Sequence, residues 1–237
     1  MRKIVLAMTL VMVLGIVVSA EAMLYDRGGG LIYCDTLDIT WLQDVNYAKT
    51  SEYDLDGWMT WDEAMTWANN LTYYDSVRDV IWGDWRLPTT VDGAMVFGFE
   101  GDPDGDGDYN YTYGYNLANS EMGHLFFNEL GNKAYRATDG TSPQPGWGLS
   151  ETGDFINLQP SIYWSSTEQA SYPGAAWFFD FKMGYQISNL QDLTLCAWAV
   201  RDGDISAAPV PEPGTMSLIV MGLLGIVSLS KFGQWYR

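Results

Sequence analysis

Histidine, cysteine and basic side chains are all scarce in this chain of 237 residues. There is one histidine, His124, and there are two cysteines, Cys34 and Cys196. The sequence contains no G-x-S-x-G, H-E-x-x-H or phosphate-binding glycine-loop motif. Because the residues that usually act as nucleophiles, proton carriers or metal ligands are so few, we expect a protein that is not an enzyme.

The shortage of positive charge excludes several partners. Twelve lysine and arginine residues stand against 30 aspartate and glutamate residues, which gives a formal net charge of −18 at pH 7. Such a chain repels phosphate backbones, so nucleic-acid binding is excluded, and anionic lipid headgroups are poor partners for the same reason. The chain is nevertheless 15% aromatic and 47% hydrophobic, which predicts a folded domain with a substantial core rather than an acidic disordered tail.

The first 22 residues have the order of a secretory signal peptide. Residues 1–3 form a basic start, residues 4–18 are apolar, and Ala20-Glu21-Ala22 matches an A-x-A cleavage site. We expect signal peptidase to remove residues 1–22 and the protein to be exported. The alternative is an uncleaved membrane anchor, for which the apolar stretch is short.

Residues 207–237 form a second sorting element with three parts. A segment rich in proline and small residues contains Pro211-Glu212-Pro213, an apolar run covers 218–229, and Lys231 and Arg237 make a thin basic end. This order resembles the PEP-CTERM tail that exosortases of Gram-negative bacteria recognise. The resemblance implies transient anchoring in the inner membrane, cleavage near the Pro-Glu-Pro, and delivery to the cell envelope, cell surface or extracellular matrix. A plain C-terminal membrane anchor is the alternative.

The two cysteines occupy strand-like runs at opposite ends of the region between these signals. Cys34 closes the run 31–34, and Cys196 lies in the run 195–200. In an oxidising compartment an even pair is usually bridged, so we predict a disulfide between them. Closing so long a loop contributes on the order of 5 kcal/mol in the chain-entropy model. Two buried thiols are the alternative.

Residues 23–206 have the pattern of one α+β domain. A capping box at Thr60 and Glu63 and apolar helical spacing predict a helix over 61–71, and Ser120 caps a second predicted helix over 121–130. Runs of strand type follow from residue 162 to residue 201. We expect two helices packed on antiparallel strands, with the first and last strands adjacent.

Three segments of this domain resemble landmarks of a known family. They are Trp85-Arg86-Leu87-Pro88-Thr89, Tyr163-Trp164-Ser165-Ser166-Thr167-Glu168 and Ala197-Trp198-Ala199-Val200-Arg201. Together they resemble the Lcl C-terminal domain family, which is named from a collagen-like bacterial adhesin. The resemblance implies a C-type-lectin-like fold and surface adhesion through polysaccharides.

An acidic loop has the highest density of potential metal ligands in the sequence. Asp102, Asp104, Asp106 and Asp108 alternate with other residues, and Gly107 stands sixth, as in the front half of an EF-hand loop. The twelfth position is Tyr113 where an EF-hand has glutamate, so we predict a calcium site of another type. Glu100 or Glu121 would complete its ligands. The alternative is a solvated acidic loop without a cation.

Further candidates are weaker. Glu121 and His124 share a helix face at i and i+3 and suit metal binding or proton transfer, although such a histidine is more often structural. Trp147, Tyr111 and Tyr113 are candidate contacts for sugar rings, because aromatic faces beside carboxylates suit both the C–H face and the hydroxyls of a sugar.

The features together favour an exported, non-catalytic, polysaccharide-binding or adhesion protein. Calcium in the acidic loop would bridge the negative domain to an anionic polymer. The alternatives are a carbohydrate-active enzyme with an unidentified carboxylate pair and a purely structural matrix protein.

Overall fold

The computed structural model describes residues 23–102, 104–107 and 109–205. The predicted signal peptide and sorting tail lie outside these residues, as do Pro103 and Asp108. Buried residues from Leu31 to Ile205 belong to one hydrophobic cluster, so the described residues share one core.

Thirteen strands in three sheets make up most of the regular structure of the described residues. The strands are Leu24–Asp26 (β1), Leu31–Cys34 (β2), Ile39–Leu42 (β3), Trp58–Met59 (β4), Tyr73–Asp75 (β5), Val80–Trp82 (β6), Phe97–Gly98 (β7), Tyr113–Tyr115 (β8), Ile162–Glu168 (β9), Ala175–Asp180 (β10), Tyr185–Leu190 (β11), Leu195–Cys196 (β12) and Val200–Asp202 (β13). The sheets have the orders β1-β2-β3-β13, β4-β12-β9-β10-β11-β8-β7 and β5-β6.

Helices contribute little. They are Tyr47–Thr50 (α1), Trp61–Asn70 (α2) and Glu121–His124 (α3), and α3 continues into a π-helical turn, Leu125–Glu129. The predicted α+β, C-type-lectin-like fold is therefore wrong, because the described residues are mostly β-sheet. Several strands, such as β7 and β8, are only two or three residues long and lie in a Gly- and Tyr-rich segment that has no apolar periodicity.

The expectation that the first and last strands are adjacent is also wrong. The last strand, β13, pairs with β3 in the register Val200↔Trp41, and β2 lies on the other side of β3. Cys196 is on β12, which belongs to the seven-stranded sheet. The predicted disulfide is accordingly absent, and Cys34 and Cys196 are free thiols.

Helix α2 confirms the local signals that predicted it. The Thr60 side chain accepts from the Glu63 amide, and the Glu63 carboxylate accepts from the Thr60 amide at 2.9 Å. These reciprocal bonds satisfy amides that a helix start would leave without partners. Ala64 and Trp67 turn into the core, as the apolar spacing indicated.

The two larger sheets meet around the indole of Trp198. Its ring centroid lies 4.5 Å from that of Trp41 on β3 and 6.2 Å from that of Tyr163 on β9. Phe155 packs against it edge-on at 4.9 Å. The indole nitrogen donates to the Leu42 carbonyl at 2.8 Å, so this fully buried ring has both apolar contacts and a polar partner.

The three segments noted in the sequence lie side by side. The backbones of Arg86 and Val200 exchange two hydrogen bonds, of 2.8 and 2.9 Å. Ser166 on β9 donates its amide to the Pro88 carbonyl at 2.7 Å. The stretch that contains Arg86 and Pro88 therefore connects β13 of one sheet to β9 of the other.

Replacing Trp198 with alanine should lower the free energy of unfolding by roughly 3–5 kcal/mol, because the ring fills the junction of the sheets. Denaturant unfolding followed by circular dichroism measures this loss. Trp58→Ala is the matched control: Trp58 is 42% exposed and should cost less than about 1 kcal/mol. Equal losses in the two variants would contradict the central position of Trp198.

A second prediction concerns Asp75, which is fully buried at the end of β5. Burial raises its pKa, but hydrogen bonds from Trp82, Arg78 and two backbone amides outweigh burial and hold the pKa below its usual range. A depressed folded-state pKa stabilises the protein above the unfolded pKa, near 3.9, and this stabilisation is lost as pH falls through the folded pKa.

Asp75→Asn should therefore lower the free energy of unfolding at pH 7 by roughly 2–3 kcal/mol. The gap between wild type and variant should narrow as the pH falls below the unfolded-state pKa of about 3.9 and through the lower folded-state pKa, because the wild-type carboxylate then loses this advantage. Asp79→Asn, at an exposed position of the same hairpin, is the control and should have an effect below about 0.5 kcal/mol. A gap that does not change with pH would show that the charge of Asp75 is unimportant.

Candidate functional site

The acidic loop lies in the connection from β7 to β8. The Asp102 carboxylate accepts from the amides of Gly105 at 3.0 Å and Gly107 at 2.8 Å, so the loop curls around it. Gly107 has a φ of 80°, which side chains disfavour. Carboxylate oxygens of Asp102, Asp104 and Asp106 lie within 4.8 Å of one another. The structure thus brings three of the four predicted calcium ligands together, while Asp108 lies outside the described residues.

The electrostatics of this loop suit a cation. A hydrogen bond with Asp102 and the nearby charge of Asp106 raise the pKa of Asp104. Carboxylate oxygens carry two lone pairs each, so Asp102 can keep its amide hydrogen bonds while it coordinates an ion. Ca²⁺ prefers hard oxygen ligands, and the carboxylates of this exposed loop are ligands of that type.

The two glutamates that were expected to complete this site lie elsewhere or have other partners. Glu121 receives two hydrogen bonds from the Arg86 guanidinium, both of 2.8 Å, and one from the Thr89 amide at 2.7 Å. Glu100 accepts from the Phe99 amide at 3.0 Å, and this bond lowers its pKa. Glu121 is therefore an ion-pair partner of Arg86 and does not join the loop carboxylates.

Tyr111 fixes the base of the acidic loop. Its hydroxyl donates to the Gly101 carbonyl at 2.7 Å, next to Asp102. Its ring occupies the space that a side chain at position 98 would need, so Gly98 allows this contact. Gly114, the β8 partner of Gly98, lies so close that a Cβ there would overlap the Gly98 carbonyl. Tyr111, a predicted sugar contact, thus has a structural role in closing the loop.

A row of aromatic rings, which we call the aromatic face, follows β7, β8 and β11. Phe97 lies 5.4 Å from Tyr113 and 6.3 Å from Phe99, measured between ring centroids. Tyr115 lies 4.6 Å from Tyr185. Phe97 is 42% exposed and the others are half-buried, so this surface is accessible. Tyr113, predicted as a sugar contact, belongs to it.

The aromatic face continues toward a neighbouring loop. Tyr135 lies beside the turn that leads into β11, since its amide donates to the Met183 carbonyl at 2.8 Å. Trp147 packs edge-on against Tyr135 with centroids 4.9 Å apart. The predicted contact Trp147 therefore joins the aromatic face through Tyr135, and the guanidinium of the next residue, Arg136, lies 3.9 Å from the Phe99 ring.

A second cluster of ligand-type residues was not predicted. The Cys34 thiol donates to Glu129 Oε1 at 3.3 Å, and His124 Nε2 lies 3.0 Å from the same oxygen. Burial, with the charge of Glu129, raises the pKa of Cys34 to about 12. His124 therefore pairs with Glu129 rather than with Glu121, because the turn between them is π-helical. Nothing in the local sequence marks that turn.

Several cavities of the described residues lie away from these groups. One of about 420 Å³ is open to solvent and has two carboxylates, Asp62 and Asp192, in its lining. Another, of about 250 Å³, is lined by Cys196, whose sulfur lies 3.5 Å from the Ser161 hydroxyl.

Comparison with known proteins identifies the C-terminal tail. Residues 209–231 match the PEP-CTERM protein-sorting motif, and Pro211, Glu212 and Pro213 lie within the match. The chain is thus an exported protein sorted by exosortase and associated with the envelope or surface of a Gram-negative bacterium.

The rest of the chain has no such counterpart. No curated protein and no solved structure matches the chain. The resemblance to the Lcl C-terminal domain is not supported by any family match. Among the described residues, no helix has both the length and the apolar character needed to cross a membrane.

Proposed function

We propose that this exported protein is a non-catalytic domain that binds anionic polysaccharide at the cell surface or in the extracellular matrix. The observation that carries the proposal is the position of the acidic loop, which begins at Asp102, three residues after Phe99 of the aromatic face. Asn116 fixes this junction by donating to the carbonyls of Phe99, at 2.6 Å, and Arg136, at 2.9 Å. A sugar chain on the aromatic face would therefore pass beside the cation of the loop.

The two parts supply complementary interactions. Aromatic rings pack against the C–H faces of pyranose rings, and the phenol hydroxyls offer hydrogen bonds. A calcium ion held by Asp102, Asp104 and Asp106 would bridge to carboxylates of the polymer. Without the ion, a protein of net charge −18 would repel that polymer.

Processing of both ends completes the proposal. Signal peptidase would remove residues 1–22, and residues 23–206 would form the binding domain. The apolar run of the tail would hold the chain in the inner membrane until exosortase cleaves near Pro211-Glu212-Pro213. The sorting element thereby delivers the domain to the compartment in which polysaccharide is present.

Calcium should bind the acidic loop and stabilise the protein. At a calcium concentration 100 times Kd, the free energy of unfolding should rise by about 2.7 kcal/mol, because the ion binds only the folded loop. Calorimetric titration and the shift in Tm measure this. The double variant Asp104→Ala, Asp106→Ala should lose both effects, since it removes two of three converging carboxylates.

The control for this titration removes the same charge elsewhere. Asp154→Ala, Asp192→Ala deletes two exposed carboxylates outside the loop and should keep wild-type calcium binding. If both double variants bind calcium like the wild type, or if the wild type does not bind it, the loop is a solvated acidic segment. That result would favour the alternative that the protein is a purely structural component of the matrix.

Binding to a short, soluble oligogalacturonate should need both calcium and the aromatic face. Phe97→Ala and Tyr113→Ala should each weaken binding roughly tenfold, equivalent to about 1.4 kcal/mol, while leaving calcium affinity unchanged. Tyr172→Ala, at an aromatic residue 57% exposed elsewhere, is the control and should bind normally. Microcalorimetry in calcium and in chelator gives both comparisons.

Two outcomes would contradict this proposal. Binding that is insensitive to Phe97→Ala and Tyr113→Ala would exclude the aromatic face. Cleavage of the oligosaccharide that disappears in an Asp62→Asn, Asp192→Asn variant would instead establish the carbohydrate-active enzyme at the open cavity.

A further inference from the structure

We propose that Cys34, His124 and Glu129 form a buried binding site for a divalent transition-metal cation of the zinc class. This site is separate from the acidic loop and does not depend on the proposed polysaccharide binding. It joins the second strand of the four-stranded sheet to the helix that ends in the π-helical turn.

The three ligand-type atoms are already close to a coordination geometry. Cys34 Sγ, His124 Nε2 and a Glu129 carboxylate oxygen lie within 4.8 Å of one another. Two of the separations are 3.3 Å and 3.0 Å. Tetrahedral zinc bonds place neighbouring sulfur, nitrogen and oxygen ligands roughly 3.4–3.6 Å apart. The Glu129 oxygen therefore needs to move from Cys34 and from His124 by only a few tenths of an ångström to admit an ion.

Glu129 provides a second observation that points to a ligand. Its side chain is 1% exposed, and its Oε2 atom is buried with no hydrogen-bond partner among the described residues. A buried carboxylate oxygen without a partner is costly and rare. Cys34 and His124 both contact the other oxygen, Oε1, so a metal ion bound by both oxygens of the Glu129 carboxylate would satisfy Oε2 as well.

The π-helical turn is what builds the pair of His124 and Glu129. Residues five apart lie about 140° apart around an ideal α-helix, so their side chains do not face each other. In the wider turn, the Leu130 amide donates to the Leu125 carbonyl five residues back, at 3.0 Å, and His124 and Glu129 meet. Such turns are rare and occur frequently at functional sites.

The chemistry of the three residues selects the class of ion. A thiolate and an imidazole are softer ligands than calcium or magnesium prefers, and they suit zinc and its neighbours. One thiolate and one carboxylate balance the charge of a divalent cation, so the loaded site would be neutral in the protein interior. Three protein ligands also leave a fourth coordination position for water or another ligand.

Loading requires two proton movements. The Cys34 thiol proton leaves to solvent, since only the thiolate binds metal. The His124 proton moves from Nε2, which would bind the ion, to Nδ1. Asn128 presents its side-chain amide to Nδ1 at 3.1 Å, and rotating that amide places its oxygen to accept the new N–H. Asn128 is thus a positioning residue of the site.

The test uses the full chain, purified in detergent with a phosphine reductant and freed of metal by a chelator. One equivalent of Co²⁺ should produce a thiolate-to-metal charge-transfer absorption, and Zn²⁺ should displace it. Cys34→Ser should abolish the absorption. Glu129→Gln, which keeps the shape of the side chain, should weaken Zn²⁺ binding by at least about 100-fold.

Cys196→Ser is the matched control and makes the result independent of how the other variants fold. In that variant Cys34 is the only cysteine of the chain, so a retained thiolate absorption can come only from Cys34. Loss of the absorption in Cys196→Ser, or its absence from the wild type at saturating Co²⁺, would overturn the proposal. Equal Zn²⁺ affinity in wild type and Glu129→Gln would remove Glu129 from the site.

Discussion

The burial of Trp198 between the two larger sheets is the constraint on which the rest of the structure depends. Val200, two residues further, begins β13 and fixes its register against Trp41 on β3. The same residue pairs with Arg86. Burial of the Trp198 indole therefore accompanies the alignment of three distant parts of the chain, which are β3, β13 and the stretch around Arg86. Asp202 and Glu121 then converge on the Arg86 guanidinium, at 2.6 Å and 2.8 Å. The ion-pair cluster thus lies beside the paired backbones of Arg86 and Val200.

The same arrangement positions the buried cysteine cluster. Arg86 holds Glu121 in the first turn of α3, and the Glu121 amide donates to the Thr89 carbonyl at 3.1 Å. The start of α3 is therefore tied to the stretch between the sheets, and His124 follows one turn later. Cys34 approaches from β2, whose neighbour β3 carries Trp41. A site made from two distant segments is rigid because both segments pack on one core.

Features that depend on neighbouring residues were predictable from the sequence, and features that depend on distant contacts were not. The capping box at Thr60 and the alternating carboxylates of the acidic loop are local patterns, and the structure contains both. The disulfide between Cys34 and Cys196 required two distant runs to be adjacent, and they fall in different sheets. The short strands β7 and β8 escape prediction because paired glycines, Gly98 and Gly114, rather than alternating apolar residues, let them approach. His124 was assigned to Glu121 by α-helical spacing, but Glu121 pairs with Arg86, and the π-helical turn that follows brings Glu129 to His124 instead.

The free cysteines have a physical rationale in an exported protein. They lie on strands of different sheets, and both are free thiols. Cys34 is also shielded chemically, because burial raises its pKa to about 12 and leaves little of the reactive thiolate. A cation that binds the thiolate together with His124 and Glu129 would stabilise the fold by linking β2 to the helix, since a site that exists only in the folded chain adds its binding free energy to folding. Such coordination would give the chain the cross-link between distant segments that a disulfide would otherwise provide.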